Sequence, residues 1–142
     1  LHDALPIYEM KKLLNCFIES PEPYITLKEL GLFDVDEKEQ NILIAHLLLL
    51  AENGFISSLK LETGFESLGL HPTQKSTGIS WNFAIKPIRL TQAGHDFAAV
   101  LNQRPVFEKL KEEAQEAPVA LLRKIGSALA EKLLKEKLGL GD

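Results

Sequence analysis

With 142 residues, 45% of them apolar, the chain is long enough to bury a core and too apolar to be disordered. Its formal net charge of −4 excludes a globally positive field that would attract nucleic acid, and the charge is uneven: residues 1–103 carry a net −5 and residues 104–142 a net +1. Cys16 is the single cysteine, which excludes an intrachain disulfide. No signal peptide or membrane span is evident, so a cytoplasmic protein without a membrane partner is expected.

Residues 1–7 read as a non-native leader and are set outside the fold. Residues 8–19 form a first helix, because Met10, Leu13, Leu14, Phe17 and Ile18 recur at the spacing of one helical face. Cys16 reads there as a small packing residue with no basic neighbour to activate it. Pro21 and Pro23 break this helix. Tyr24 and Ile25 can form a very short strand. Thr26, with Glu29 three residues on, then caps a short second helix that carries Leu27, Leu30, Leu32 and Phe33 and stops at Gly31.

The next stretch is the centre of the fold. Asp36 is an N-cap, since its carboxylate can accept from the free amides of the first turn, and Glu37 and Glu39 suit the positive end of the helix dipole. Positions 42–51 are apolar almost throughout, which predicts a helix buried on more than one side and too short to cross a membrane. Asn53 and Gly54 end it, because glycine takes the left-handed conformation without a Cβ clash. Phe55 and Ile56 open a strand.

Residues 55–62 and 79–90 have strand composition, joined by a long loop over 63–80, and together they read as a two-stranded wing. Pro87 places its strand at an edge or a bulge. Thr91 caps the next helix, which carries Ala93, Phe97, Ala98 and Leu101. Pro105 opens another, and Pro118 begins a final helix to about Leu138 whose stripe is Leu121, Leu122, Ile125, Leu129 and Leu133. The fold class is therefore α+β, mostly α: a winged helix-turn-helix core over 8–103 with a two-stranded wing, and a C-terminal helical extension over 104–142 packed on the same core. The wide stripe of the final helix either packs back on the central helix or in part makes a symmetric dimer.

Residues 89–97, Arg-Leu-Thr-Gln-Ala-Gly-His-Asp-Phe, are similar to an Arg-Leu-Thr-Trp-x-Gly-His-Glu-Phe segment found in one family of small, mostly phage or prophage proteins. Residues 106–111 resemble its following Val-Trp-x-Lys-x-Lys helix, and residues 133–140 its C-terminal ending. The chain resembles domain of unknown function family 2513 from about Glu9 to Leu140, with Gln92 and Phe107 standing where that family commonly has Trp. The resemblance implies a winged-helix core with a helical tail and brings no catalytic residues.

Chemistry is sparse. His2, His46, His71, His95 and Cys16 show no paired metal-ligand spacing, no phosphate loop or nucleophile motif is present, and neither cofactor nor enzyme activity is expected. Two binding functions remain. In a DNA-binding regulator, Lys38, Gln40 and Asn41 at the start of the central helix would meet base edges, with Lys75, Lys86 and Arg89 of the wing on the backbone. Against it, Asp36, Glu37, Glu39 and Glu52 face Lys38 alone within that helix. In a protein-interaction module, the stripe Leu121, Leu122, Ile125, Leu129 and Leu133 would contact a second copy or a host protein.

Overall fold

Asp36 sets the start of the central helix. In a computed structural model, which describes residues 6–113 and 117–140, its carboxylate accepts from the Glu39 amide at 2.9 Å, and the helix, α2, runs Glu37–Glu52. One broad face, carrying Leu43, Ile44, Leu47, Leu50 and Ala51, is buried, while Ala45 meets solvent. The stop is doubly tied. The Gly54 amide donates to Ala51 O at 3.0 Å and the Phe55 amide to Leu50 O at 2.9 Å, with Gly54 at φ 71°. The Asn53 side chain also donates to the Leu49 carbonyl at 2.8 Å.

Around α2 the described residues form an α+β fold rich in helix, with five helices and two small antiparallel sheets. Helix α1 spans Pro6–Glu19. It takes in Pro6 and Ile7, which the sequence reading had set outside the fold, and Ile7 is fully buried beside Met10, Leu13 and Leu14.

The expected second helix does not form. Residues 27–33 are a run of turns, although Glu29 does reach back to the Thr26 amide at 2.9 Å. Gly31, at φ 89°, reverses the chain after one turn, too short a run for a helix to propagate, and Leu30 before it and Leu32 after it are both buried. No helix therefore precedes α2 within residues 27–33, which lead into it as turns.

The wing also differs. Strand β1, Ile56–Ser58, pairs with the strand at Ile88–Leu90, in the register Ile56 to Leu90 and Ser58 to Ile88. Ile25 adds a single antiparallel bridge to Ile88, with amide bonds of 2.8 and 2.7 Å. The segment expected as a loop over 63–80 holds a 3₁₀ turn at Glu66–Leu68 and strand β2 at Leu70–Lys75. β2 makes a separate hairpin with β3, Gly78–Phe83, and Ile88–Leu90 is β4. Pro87 lies between β3 and β4 and not within a strand. Pro72 is tolerated because β2 pairs on one side only.

Helix α3, Gln92–Leu101, starts where α2 stops. The Thr91 hydroxyl caps the Gly94 amide at 3.0 Å and itself donates to the Gly54 carbonyl. The Thr91 amide donates to the Phe55 carbonyl at 3.0 Å, and the Phe55 and Phe97 rings stack at 4.7 Å. A Cβ on Gly94 would run into the Phe55 carbonyl oxygen. Helices α4, Arg104–Glu113, and α5, Val119–Lys137, complete the fold. α5 packs chiefly on α3 and α4. Its buried Gly126 allows that approach, since a Cβ there would lie 2.7 Å from Val100 Cγ1 and 3.3 Å from Leu110 Cδ1.

Gly94→Ala should destabilise the protein by ~1–3 kcal/mol, because backbone must move to admit the methyl group. Urea denaturation followed by circular dichroism measures this, and an unchanged midpoint would contradict the packing described.

Candidate functional site

The six residues proposed to meet DNA fall in separate places. Gln40 and Asn41, on the first turns of α2, and Lys75, at the tip of the β2–β3 hairpin, line one polar depression of about 410 Å³ together with Glu37, Ser80 and Trp81. The hairpin reaches there because Phe83 packs edge-on against Phe33 at 5.7 Å and Leu70 is buried in the core. Lys38 is exposed on the first turn of α2. Lys86 is elsewhere, donating to the Glu66 carbonyl at 3.1 Å and lining a different hollow with Ser58 and Pro87. Arg89 sits 3.4 Å from Ser57 Oγ and faces Ile18 and His95.

Within the depression the roles divide. Gln40 is already engaged, its amide donating to the Leu32 carbonyl at 2.8 Å, so it fastens the turn segment to α2. Asn41 and Lys75 are exposed. Asp34, Asp36, Glu37 and Glu39 are also exposed around the same end of the helix. Local charge is therefore negative where a base-reading helix needs cations.

The stripe proposed for a partner is largely internal. Leu122 is fully buried, while Ile125, Leu129 and Leu133 are half-buried. Of the five, Leu121 is exposed, at 46%. The more exposed leucines at this end lie outside that stripe: Leu134 at 57%, Leu138 at 61% and Leu140 at 65% exposure. Leu134 and Leu138 are one turn apart and lie off the Leu129–Leu133 line that packs inward, so the i, i+4 spacing from Leu134 was the available signal. Between α4 and α5 runs a shallow groove of about 190 Å³, with Val106, Leu129 and Leu133 as floor and Lys109, Lys132 and Glu136 at the rim.

The remaining reactive side chains are dispersed. His46 is buried in α2, and its Nδ1 lies 2.8 Å from the Ile42 carbonyl, to which it donates. His71 is on β2 and His95 is exposed on α3; His2 lies outside the described residues. Among the described residues no group of three or more His, Cys, Asp or Glu is placed to hold a metal. Burial pushes the Cys16 thiol above its usual pKa, Glu19 adds to this, and Lys12 opposes it without prevailing, so the thiol is not activated. At the α1–α4 join, Tyr8 stands edge-on to Phe107 at 5.2 Å and Lys11 Nζ lies 4.3 Å from the centre of that ring. Hydrogen bonds from Lys111 to Tyr8, and then to Glu108, hold the lysine pKa above its usual value.

No helix among the described residues is long and apolar enough to cross a membrane. No family model, curated protein or solved structure matches the chain.

Replacing Gln40 by Ala should cost ~1 kcal/mol of stability, because the Leu32 carbonyl loses its donor. Asn41→Ala and Lys75→Ala should each stay within about 0.5 kcal/mol. Equal losses at all three positions in denaturant titrations would refute this division of roles.

Proposed function

We propose that the chain acts by binding another protein, without catalysis and without reading duplex DNA, on a winged-helix scaffold whose second helix is reduced to turns. In this reading α1, the Ile25 bridge, α2 and the β1–β4 pair are the winged-helix parts, and the β2–β3 hairpin extends the wing. The phage or prophage origin implied by the family resemblance and a cytoplasmic setting belong to the same proposal. The observation that carries the reading is the exposure of Leu134 and Leu138, at 57% and 61%, one turn apart on the last helix. Large apolar side chains gathered on one helix face suit a protein contact.

DNA binding is the second reading, favoured by the meeting of Asn41 and Lys75 in one depression. It is weighed down by the four carboxylates at that end of α2 and by the dispersal of Lys86 and Arg89 to other surfaces. A protein that neutralises several phosphates must bring several cations to one face.

Fluorescence anisotropy with labelled duplex DNA at low salt should show no saturable binding. Affinity capture from nuclease-treated lysate, or by a second copy of the chain, should fall about tenfold or more on Leu134→Glu, as for loss of a central apolar anchor. Saturable DNA binding that weakens steeply with salt and is lost in Lys75→Ala would replace this reading with the regulator.

A further inference from the structure

We infer that the hollow between the end of α1 and the start of α3 binds a small organic carboxylate, held by the guanidinium of Arg89. The site is lined from α1, the turn after it, β4 and α3, and shares no residue with the α5 surface. Arg89 is placed by its strand. It is the middle residue of β4, opposite Ser57 of β1, and its neighbours Ile88 and Leu90 are buried in the core, so its side chain leaves on the other face of the strand pair. What singles it out is the lack of a partner. Among the described residues four lysine and arginine side chains are half-buried: Lys11, Lys86, Arg89 and Lys111. Lys11 lies over the Phe107 ring, Lys86 donates to the Glu66 carbonyl at 3.1 Å, and Lys111 pairs with Glu108 at 3.0 Å. Arg89 has one contact, at 3.4 Å, to the neutral hydroxyl of Ser57, which itself donates to the Ser58 carbonyl at 2.9 Å. Most of the guanidinium N–H groups are therefore unspent within the described chain. A cation drawn partly out of water without a counter-charge lowers stability, and a bound anion offsets that.

The hollow, of about 310 Å³, suits a small ligand and offers surface for both halves of one. Phe17, Ile18 and Pro23 supply apolar wall, and Ile18 is 47% exposed, free to cover a ligand's hydrocarbon. Ser20 and His95 join Arg89 in the polar lining. Ser20 Oγ accepts from the Glu22 amide at 3.1 Å, which leaves its own hydrogen to donate. The planar guanidinium fork matches the two oxygens of a carboxylate. Glu22 lines the same hollow and is exposed. Its charge repels an anion, a doubly charged phosphate more than a carboxylate, so the lining favours a monoanion with an apolar body.

Titration of the full chain with sodium benzoate, followed by amide NMR, tests this. Benzoate should shift the amides of Ile18, Ser20, Arg89 and His95 together along one saturable curve, weakly, as suits a ligand of so few atoms. Benzamide has the same shape without the charge, and dimethyl phosphate is a monoanion of phosphodiester chemistry. Each should bind about tenfold more weakly or not at all. Arg89→Lys keeps the charge and loses the fork, so benzoate affinity should fall about tenfold. Glu22→Gln should raise it about two- to fivefold, because a repelling charge is removed. The amide spectrum reports whether each variant is folded; if Arg89→Lys unfolds, Glu22→Gln and the wild-type titrations decide. Shifts scattered over the surface, or none, overturn the proposal, as does benzamide or dimethyl phosphate binding as tightly as benzoate. So does an affinity unchanged in a folded Arg89→Lys or not raised in Glu22→Gln.

Discussion

The end of α2 and the start of α3 are one joint, and the fold is arranged about it. Gly54 turns the chain out of α2, and its carbonyl accepts from the Thr91 hydroxyl that also caps α3. The Phe55 carbonyl accepts from the Thr91 amide and lies where a side chain on Gly94 would have to go. Phe97 then stacks on Phe55, and Arg123 of α5 sits 5.4 Å from the Phe55 ring centre. Polar groups freed at a helix end need partners when buried, and here each helix end supplies them for the other. This fixes the β1–β4 pair between the two helices, because β1 leaves directly from Phe55 and β4 enters directly at Thr91.

That joint was half legible in the sequence. Asp36, Asn53, Gly54 and Thr91 act as local punctuation, and local signals need only the residues beside them. The close approach of Gly94 to Phe55 is between residues far apart in the chain, and nothing in either neighbourhood announces it. Thr91, Gly94 and Phe97 each have a physical role there, as cap, close approach and stacked ring. The second helix was misread because Thr26 and Glu29 do form the capping contact, yet Gly31 leaves too little chain for helix propagation. The β2–β3 hairpin was hidden because Leu70–Lys75 contains Pro72 and the polar residues His71, Thr73, Gln74 and Lys75, a composition that reads as loop.

The surfaces were less legible than the core. Periodicity identified the apolar stripe of α5 but not which neighbour covers it, and α3 with α4 now accounts for Leu122, Ile125 and Leu129. The exposed pair Leu134 and Leu138 stood out only once the inward face was known. Among the proposed DNA contacts, Gln40 was chosen for its chemistry toward adenine, yet that same amide is spent on the Leu32 carbonyl. Side-chain type indicates what a residue can bind, whereas placement decides whether it is free to do so.

Native-state hydrogen exchange read by NMR at the Phe55 and Thr91 amides tests the central joint most directly. Both donate within it, to Leu50 O at 2.9 Å and to Phe55 O at 3.0 Å. The account predicts that they exchange only through global unfolding, with the same opening free energy as the amides in the middle of α2. Exchange at either site through a local opening well below that energy would contradict it.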